Sequence, residues 1–113
     1  MASKQSTVDY ILEQITHAGD VRYRKMFGEY ALYCNEKVVA LVCDDQLFLK
    51  PTTAGKALIK HLEEAPPYPG AKLYFLISPD LWENHEFLTN LIATTAAGLP
   101  MPKLKRSNTI NNR

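Results

Sequence analysis

The sequence predicts an α+β domain in which one antiparallel sheet of five strands is packed by three helices, in the order α-β-β-β-β-α-β-α. Three observations lead there. Apolar residues recur at three- and four-residue steps near both ends of the chain, as helices require. Between Val21 and Lys50, short apolar runs are parted by turn-forming residues. The breaks between those runs are too short for parallel crossovers, so neighbouring strands must run antiparallel.

Each element has its own signal. Ser6-Thr7-Val8-Asp9 reads as a capping box, with a hydroxyl at the N-cap and an acid three residues on. Val8, Ile11, Leu12 and Ile15 give the following helix one apolar face, and Gly19 suits the position just past its end. The first helix is therefore expected over Thr7 to Ala18. Strands are expected at Val21 to Met26, Tyr30 to Cys34, Val38 to Cys43 and Leu47 to Lys50, broken at Gly28, at Asn35-Glu36-Lys37 and at Asp44-Asp45-Gln46. Val38 to Cys43 is apolar without alternation, which marks a central strand covered on both faces. Helices would cover one face, and a dimer partner or a folded-back segment the other.

A second helix is expected from Thr53 to Glu63, capped by Thr52 or Thr53, although Gly55 inside it costs about 1 kcal/mol against alanine. Ala65 to Gly70 holds three prolines and reads as a loop. Lys72 to Ile77 supplies the fifth strand. Pro79 ends it and starts a turn through Trp82. Asn84 caps a last helix, His85 to Ala97, with Leu88, Leu91, Ile92 and Thr95 on one face and Gly98 as its stop.

A chain of 113 residues suits one domain, and 46% apolar with 22% charged residues is ordinary for a globular protein. No apolar run approaches the ~20 residues needed to cross a bilayer. No hydrophobic region follows Lys4, so no secretory signal is expected, and the expected address is the cytoplasm. Through Glu86 there are nine Lys/Arg against twelve Asp/Glu; beyond it there are four basic residues and no acid. Residues 1–98 are thus expected to form the domain and 99–113 a basic, flexible tail. Cys34 and Cys43 are expected to be free, since a register with Cys34 opposite Val38 puts Cys43 opposite Glu29, far from its only possible mate.

No catalytic constellation emerges. His17, His61 and His85 lack metal-ligand spacing, and nucleophile and phosphate-loop motifs are absent. No cofactor or metal is expected. Asp44-Asp45, with Tyr33, offers the only footing for acid–base or cation chemistry, and adjacent aspartates more often serve a turn. Arg22 and Arg24 alternate onto one face of the first strand, with Tyr23 and Lys25 on the other. Arg22, Arg24, Lys25, Phe27, Tyr30 and Tyr33 are the candidate partner-binding residues. An alternative is direct nucleic-acid binding through Arg22, Arg24 and Lys25 together with Lys103, Lys105 and Arg106 of the tail.

The stretch from Arg24 to Tyr33, RKMFGEYALY, resembles the R-x-M-F-G-G-Y-G-L-Y opening of the TfoX (Sxy) N-terminal domain family. Ala40-Leu41-Val42 and Asp44 to Lys50 are similar to that family's A-L-V-x-D-D-x-L-Y-L-K, with ungapped spacing between the two blocks. Glu29, Ala31 and Glu36 stand where the family has glycine. The resemblance implies a fold like that of secretion chaperones and a role as a non-enzymatic regulatory module in bacteria. Such a module would act on competence genes by binding a protein partner, such as the cyclic-AMP receptor protein at promoters. Longer family members carry a second, helical domain.

Overall fold

Three two-residue turns set the architecture of the chain, whose computed structural model describes residues 3–101. Phe27-Gly28, Asn35-Glu36 and Asp44-Asp45 all have positive φ, from 52° to 81°. Two successive residues of that hand make the hairpin turn whose twist matches that of paired strands. The turns join β1 (Val21–Met26), β2 (Glu29–Cys34), β3 (Lys37–Cys43) and β4 (Gln46–Leu49) into an antiparallel meander. Before β1 come α1 (Gln5–Gln14) and a 3-10 turn (Thr16–Ala18). After β4 come α2 (Thr53–Leu58), β5 (Glu64–Ala65), β6 (Tyr74–Ile77), α3 (Pro79–Trp82) and α4 (His85–Gly98). The sheet order is β1-β2-β3-β4-β6-β5, antiparallel throughout.

The α+β class and the antiparallel sheet are as expected, but among the described residues the sheet has six strands and there are four α-helices, not five and three. β5 is two residues long and precedes Pro66-Pro67, so no run of strand-forming residues announces it. α3 is a single turn with Pro79 at its first position, where only a turn is expected. α2 ends at Leu58 instead of Glu63. Ile59 leaves it in extended backbone, and the chain then pairs with β6, the Leu76 N–H donating to the Glu63 carbonyl at 2.8 Å. The tail from residue 102, with Lys103, Lys105 and Arg106, lies outside the described residues.

One register irregularity has a large effect. Cys34 pairs with Lys37 and Tyr33 with Val38, but Leu32 pairs with Ala40, so Val39 is an extra residue. This bulge lets Val39 and Ala40 both face the helices. It also keeps Val42 in the core and turns Leu41 and Cys43 to the opposite face.

The core lies between one sheet face and the helices. Tyr30, Leu32, Cys34, Ala40, Val42, Leu47, Leu49, Phe75 and Ile77 meet Val8, Ile11 and Ile15 of the first helical segment and Leu88, Leu91, Ile92 and Ala96 of α4. Both helices keep the apolar faces expected of them. Asn84 caps the start of α4 as expected, accepting from the Phe87 N–H at 3.1 Å, but the other termini are satisfied from elsewhere in the chain. The capping box expected at Ser6 is not formed, because α1 starts at Gln5 and its N-cap Lys4 makes no side-chain cap. Asp45 serves instead, accepting from the Lys4 N–H at 2.8 Å and the Thr7 hydroxyl at 2.9 Å. At the other end the Thr89 hydroxyl donates to the Gln14 carbonyl at 2.9 Å. Lys37 of β3 donates to the Ala96 carbonyl at 2.7 Å, placing a cation at the negative end of α4.

Gly55 has a packing reason to be glycine. A Cβ there would come within 2.8 Å of Thr52 Oγ1 and 3.1 Å of Thr95 Oγ1. Thr52 Oγ1 is the N-cap of α2, accepting from the Gly55 N–H at 2.9 Å, while Thr95 Oγ1 is buried without a partner among the described residues. Gly55→Ala is therefore expected to reverse the usual helix gain and destabilise by about 1 kcal/mol, measured by urea denaturation.

A second outcome concerns pH. The Lys4 N–H and the Thr7 hydroxyl hold the Asp45 carboxyl below its ordinary range. A carboxylate that binds its proton less tightly when folded adds stability above the unfolded value and loses it as pH falls through the folded one. Asp45→Asn, which keeps an acceptor and tolerates the left-handed backbone, should lower the melting temperature by roughly 3 °C at neutral pH. The gap from the native chain should close below about pH 4.

Candidate functional site

The sheet face away from the helices carries Arg22, Arg24 and Met26 from β1, Ala31 and Tyr33 from β2, Leu41 and Cys43 from β3, Phe48 from β4, and Tyr74 and Leu76 from β6. Ala31, Cys43 and Phe48 are buried yet lie outside the helix-packed core. β3 is therefore covered by the helices on one side and only partly shielded on the other, where Cys43 is buried and Leu41 half-buried. Tyr68, from the proline-rich segment after β5, lies beside Leu41 and Cys43 on that side.

At the end of this face near the Phe27-Gly28 turn lies a groove of about 560 Å³. Its walls are Met26, Phe27, Glu29, Tyr30, Leu41, Cys43, Tyr68 and Tyr74. Met26, Phe27 and Tyr68 are large apolar groups left in water, and Phe27 is exposed in full, at 102%. Phe27 also sits at φ 52°, a backbone region that bulky residues avoid. Neither core packing nor turn chemistry asks for phenylalanine at this position.

The ionisable groups keep the groove neutral inside. Burial, with help from the Glu29 and Asp44 carboxylates, pushes the Cys43 thiol up to about 11. Burial also raises the Tyr74 hydroxyl. Glu29 is occupied at the rim, accepting from the Ser3 N–H at 3.0 Å, the Ser3 hydroxyl at 2.6 Å and the Asp44 N–H at 3.1 Å. Such a surface takes up an apolar side chain; it offers no thiolate and no free base. Among the described residues no three His, Cys, Asp or Glu side chains gather as a metal centre would require, and no helix is long and apolar enough to cross a membrane.

The six candidate residues do not form one patch. Arg22, Arg24 and Tyr33 share the helix-free face and, with Tyr23 and Glu36, line a separate shallow depression. Arg22 is paired with Asp20 at 2.8 Å, which raises the guanidinium and lowers the carboxyl. Lys25 and Tyr30 point to the helix side. The Tyr30 ring is part of the core at 3% exposure, its hydroxyl donating to Gln5 Oε1 at 3.2 Å and its ring centroid 5.6 Å from that of Tyr23. Of the six, Phe27 and an edge of Tyr30 line the groove, and only Phe27 is exposed there.

Asp44 and Asp45 do not act as a pair with Tyr33, because Asp45 is committed to α1 and Tyr33 opens onto the other depression. The groove residues missed by sequence reasoning are Met26, Glu29, Leu41, Cys43, Tyr68 and Tyr74. A tyrosine set among prolines at 68 was a usable signal. Leu41 and Cys43 were hidden by the even apolarity of their strand.

Two comparisons bear on this surface. Residues 13–98 match the profile of the TfoX N-terminal domain. The chain is also 41% identical over 109 residues to an uncharacterized 12.7 kDa protein in the trpE 5′ region of Spirochaeta aurantia, covering 96% of this chain and 94% of that protein.

The raised Cys43 thiol leads to a chemical expectation. At pH 8 roughly one Cys43 in a thousand is ionised, given a value of about 11. Native protein should therefore resist iodoacetamide at Cys43 over hours and react within minutes once unfolded, as read by mass spectrometry.

Proposed function

The chain belongs to the TfoX N-terminal domain family, and from that premise we propose that it is a non-enzymatic regulatory module that binds a protein partner, a transcription factor, through the groove beside Phe27. One observation carries the reading. Phe27 costs the fold stability by holding a left-handed backbone and gains no burial in return, its whole ring lying in water. Nothing within the domain repays that loss, whereas a partner's apolar side chain entering the groove would. Aromatic anchors seated in apolar pockets dominate the affinity of protein interfaces. The neutral interior of the groove, with Cys43 and Tyr74 both held protonated, favours such an anchor over a charged substrate.

The family's regulatory character points to a competence-type transcription factor of the cyclic-AMP receptor class as the first partner to try. The test separates stability from binding. Asparagine suits the first position of this turn, so Phe27→Asn should raise the melting temperature by roughly 4 °C. The same change should weaken binding to the purified receptor protein at least tenfold by calorimetric titration. Unchanged affinity would remove Phe27 from the interface. A native chain that bound only copies of itself would overturn the reading.

A further inference from the structure

The two edges of the sheet are built differently. β5 closes one edge with two residues and then Pro66-Pro67, a common way to deny an edge to other strands. β1 forms the other edge and has none of those guards. It runs six residues without proline, and all six, from Val21 to Met26, pair with β2 in unbroken register. Five of the six are exposed.

Hairpin geometry fixes which backbone groups are free. Met26 and Glu29 flank a two-residue turn and so form a hydrogen-bonded pair, as do Arg24 with Ala31 and Arg22 with Tyr33. The N–H and C=O groups of Tyr23 and Lys25 therefore point outward, with no backbone partner among the described residues. The strand also carries three cations, Arg22, Arg24 and Lys25, and no acid. Among the described residues Arg24 and Lys25 have no ion-pair partner, while Arg22 holds Asp20.

We infer that the free edge of β1 is a docking site for an extended acidic segment of a partner protein, which joins the sheet as a further strand. Carboxylates two residues apart on that segment would stand opposite Arg22 and Arg24 on the helix-free face. The residue between them would fall opposite Tyr23, whose half-exposed ring leans on Tyr30. The cations that discourage pairing with a second β1 select an acidic strand by the same charge. A nucleic-acid backbone fits less well. It has phosphate acceptors for the cations but no donors for the outward carbonyls of Tyr23 and Lys25.

This inference rests on the chain being a partner-binding module but uses a surface distinct from the Phe27 groove. The probe is a capped peptide of five Glu-Val repeats, titrated to millimolar concentration into the isotope-labelled chain and followed by NMR. Binding should slow amide exchange at Tyr23 and Lys25 at least tenfold. Arg24→Glu should weaken the peptide at least tenfold, and so should N-methylation of alternate peptide bonds, which leaves the protein untouched and its fold out of question. No binding would overturn the proposal, as would binding that survives N-methylation or duplex DNA that binds as tightly as the peptide. Because Phe27→Asn should leave peptide binding unchanged, failure here is distinguishable from failure of the groove reading.

Discussion

Ser3, Glu29 and Asp45 form the polar fastening on which the two layers depend. The Asp45 N–H donates to Ser3 Oγ at 2.9 Å, and that hydroxyl in turn donates to Glu29. Glu29 also takes the Asp44 N–H, while Asp45 takes the N–H of Lys4 at the start of α1. Three segments distant in sequence are thus closed into one ring of charge-assisted hydrogen bonds. Without it, α1 would begin with unmet backbone donors above the sheet, and the apolar contacts of Val8 and Ile11 would lack a fixed register. The glutamate at position 29 is accounted for by this ring.

The helix-packed face and the open face answer to different demands. On the first, the large side chains of the core are shielded and most polar ends are met, while Tyr23 and Lys25 at the β1 edge stay exposed. On the second, Phe27, Met26 and Tyr68 stay wet around a groove that is itself apolar, and β1 leaves backbone groups unpaired beside a row of cations. A fold selected for stability alone would have placed asparagine or glycine at Phe27 and shortened β1 as it shortened β5. These departures from local folding rules lie at the Phe27-Gly28 turn and along β1.

Much of this was legible from local chemistry. The three turns, the apolar faces of α1 and α4, the Asn84 cap and the central place of β3 each follow from a few adjacent residues. What escaped was long-range. Ser6-Thr7-Val8-Asp9 had the letters of a capping box, but Asp45, 41 residues beyond Lys4, won the position because the meander brings it there. Lys37 and Thr89 cap helices from other elements, and no window of sequence shows that. Gly55 read as a weakness in a helix until Thr95 was found against it. The basic and aromatic residues from Arg22 to Tyr33 were contiguous in sequence, yet strand alternation split them between core, edge and groove. β5 was invisible because two residues carry no period.

The extra residue at Val39 fixes the phase of everything that follows it. Had the ladder continued evenly from the Asn35-Glu36 turn, Tyr30 would oppose Leu41 instead of Val42, and β3 would turn over like a page. Leu41 and Cys43 would then press into the helices, and Ala40 and Val42 would floor the groove. One codon gained or lost in this hairpin would therefore exchange the floor of the groove for part of the core. A chain that kept its outline but changed its hairpin length would by that single step present a different sheet face to solvent.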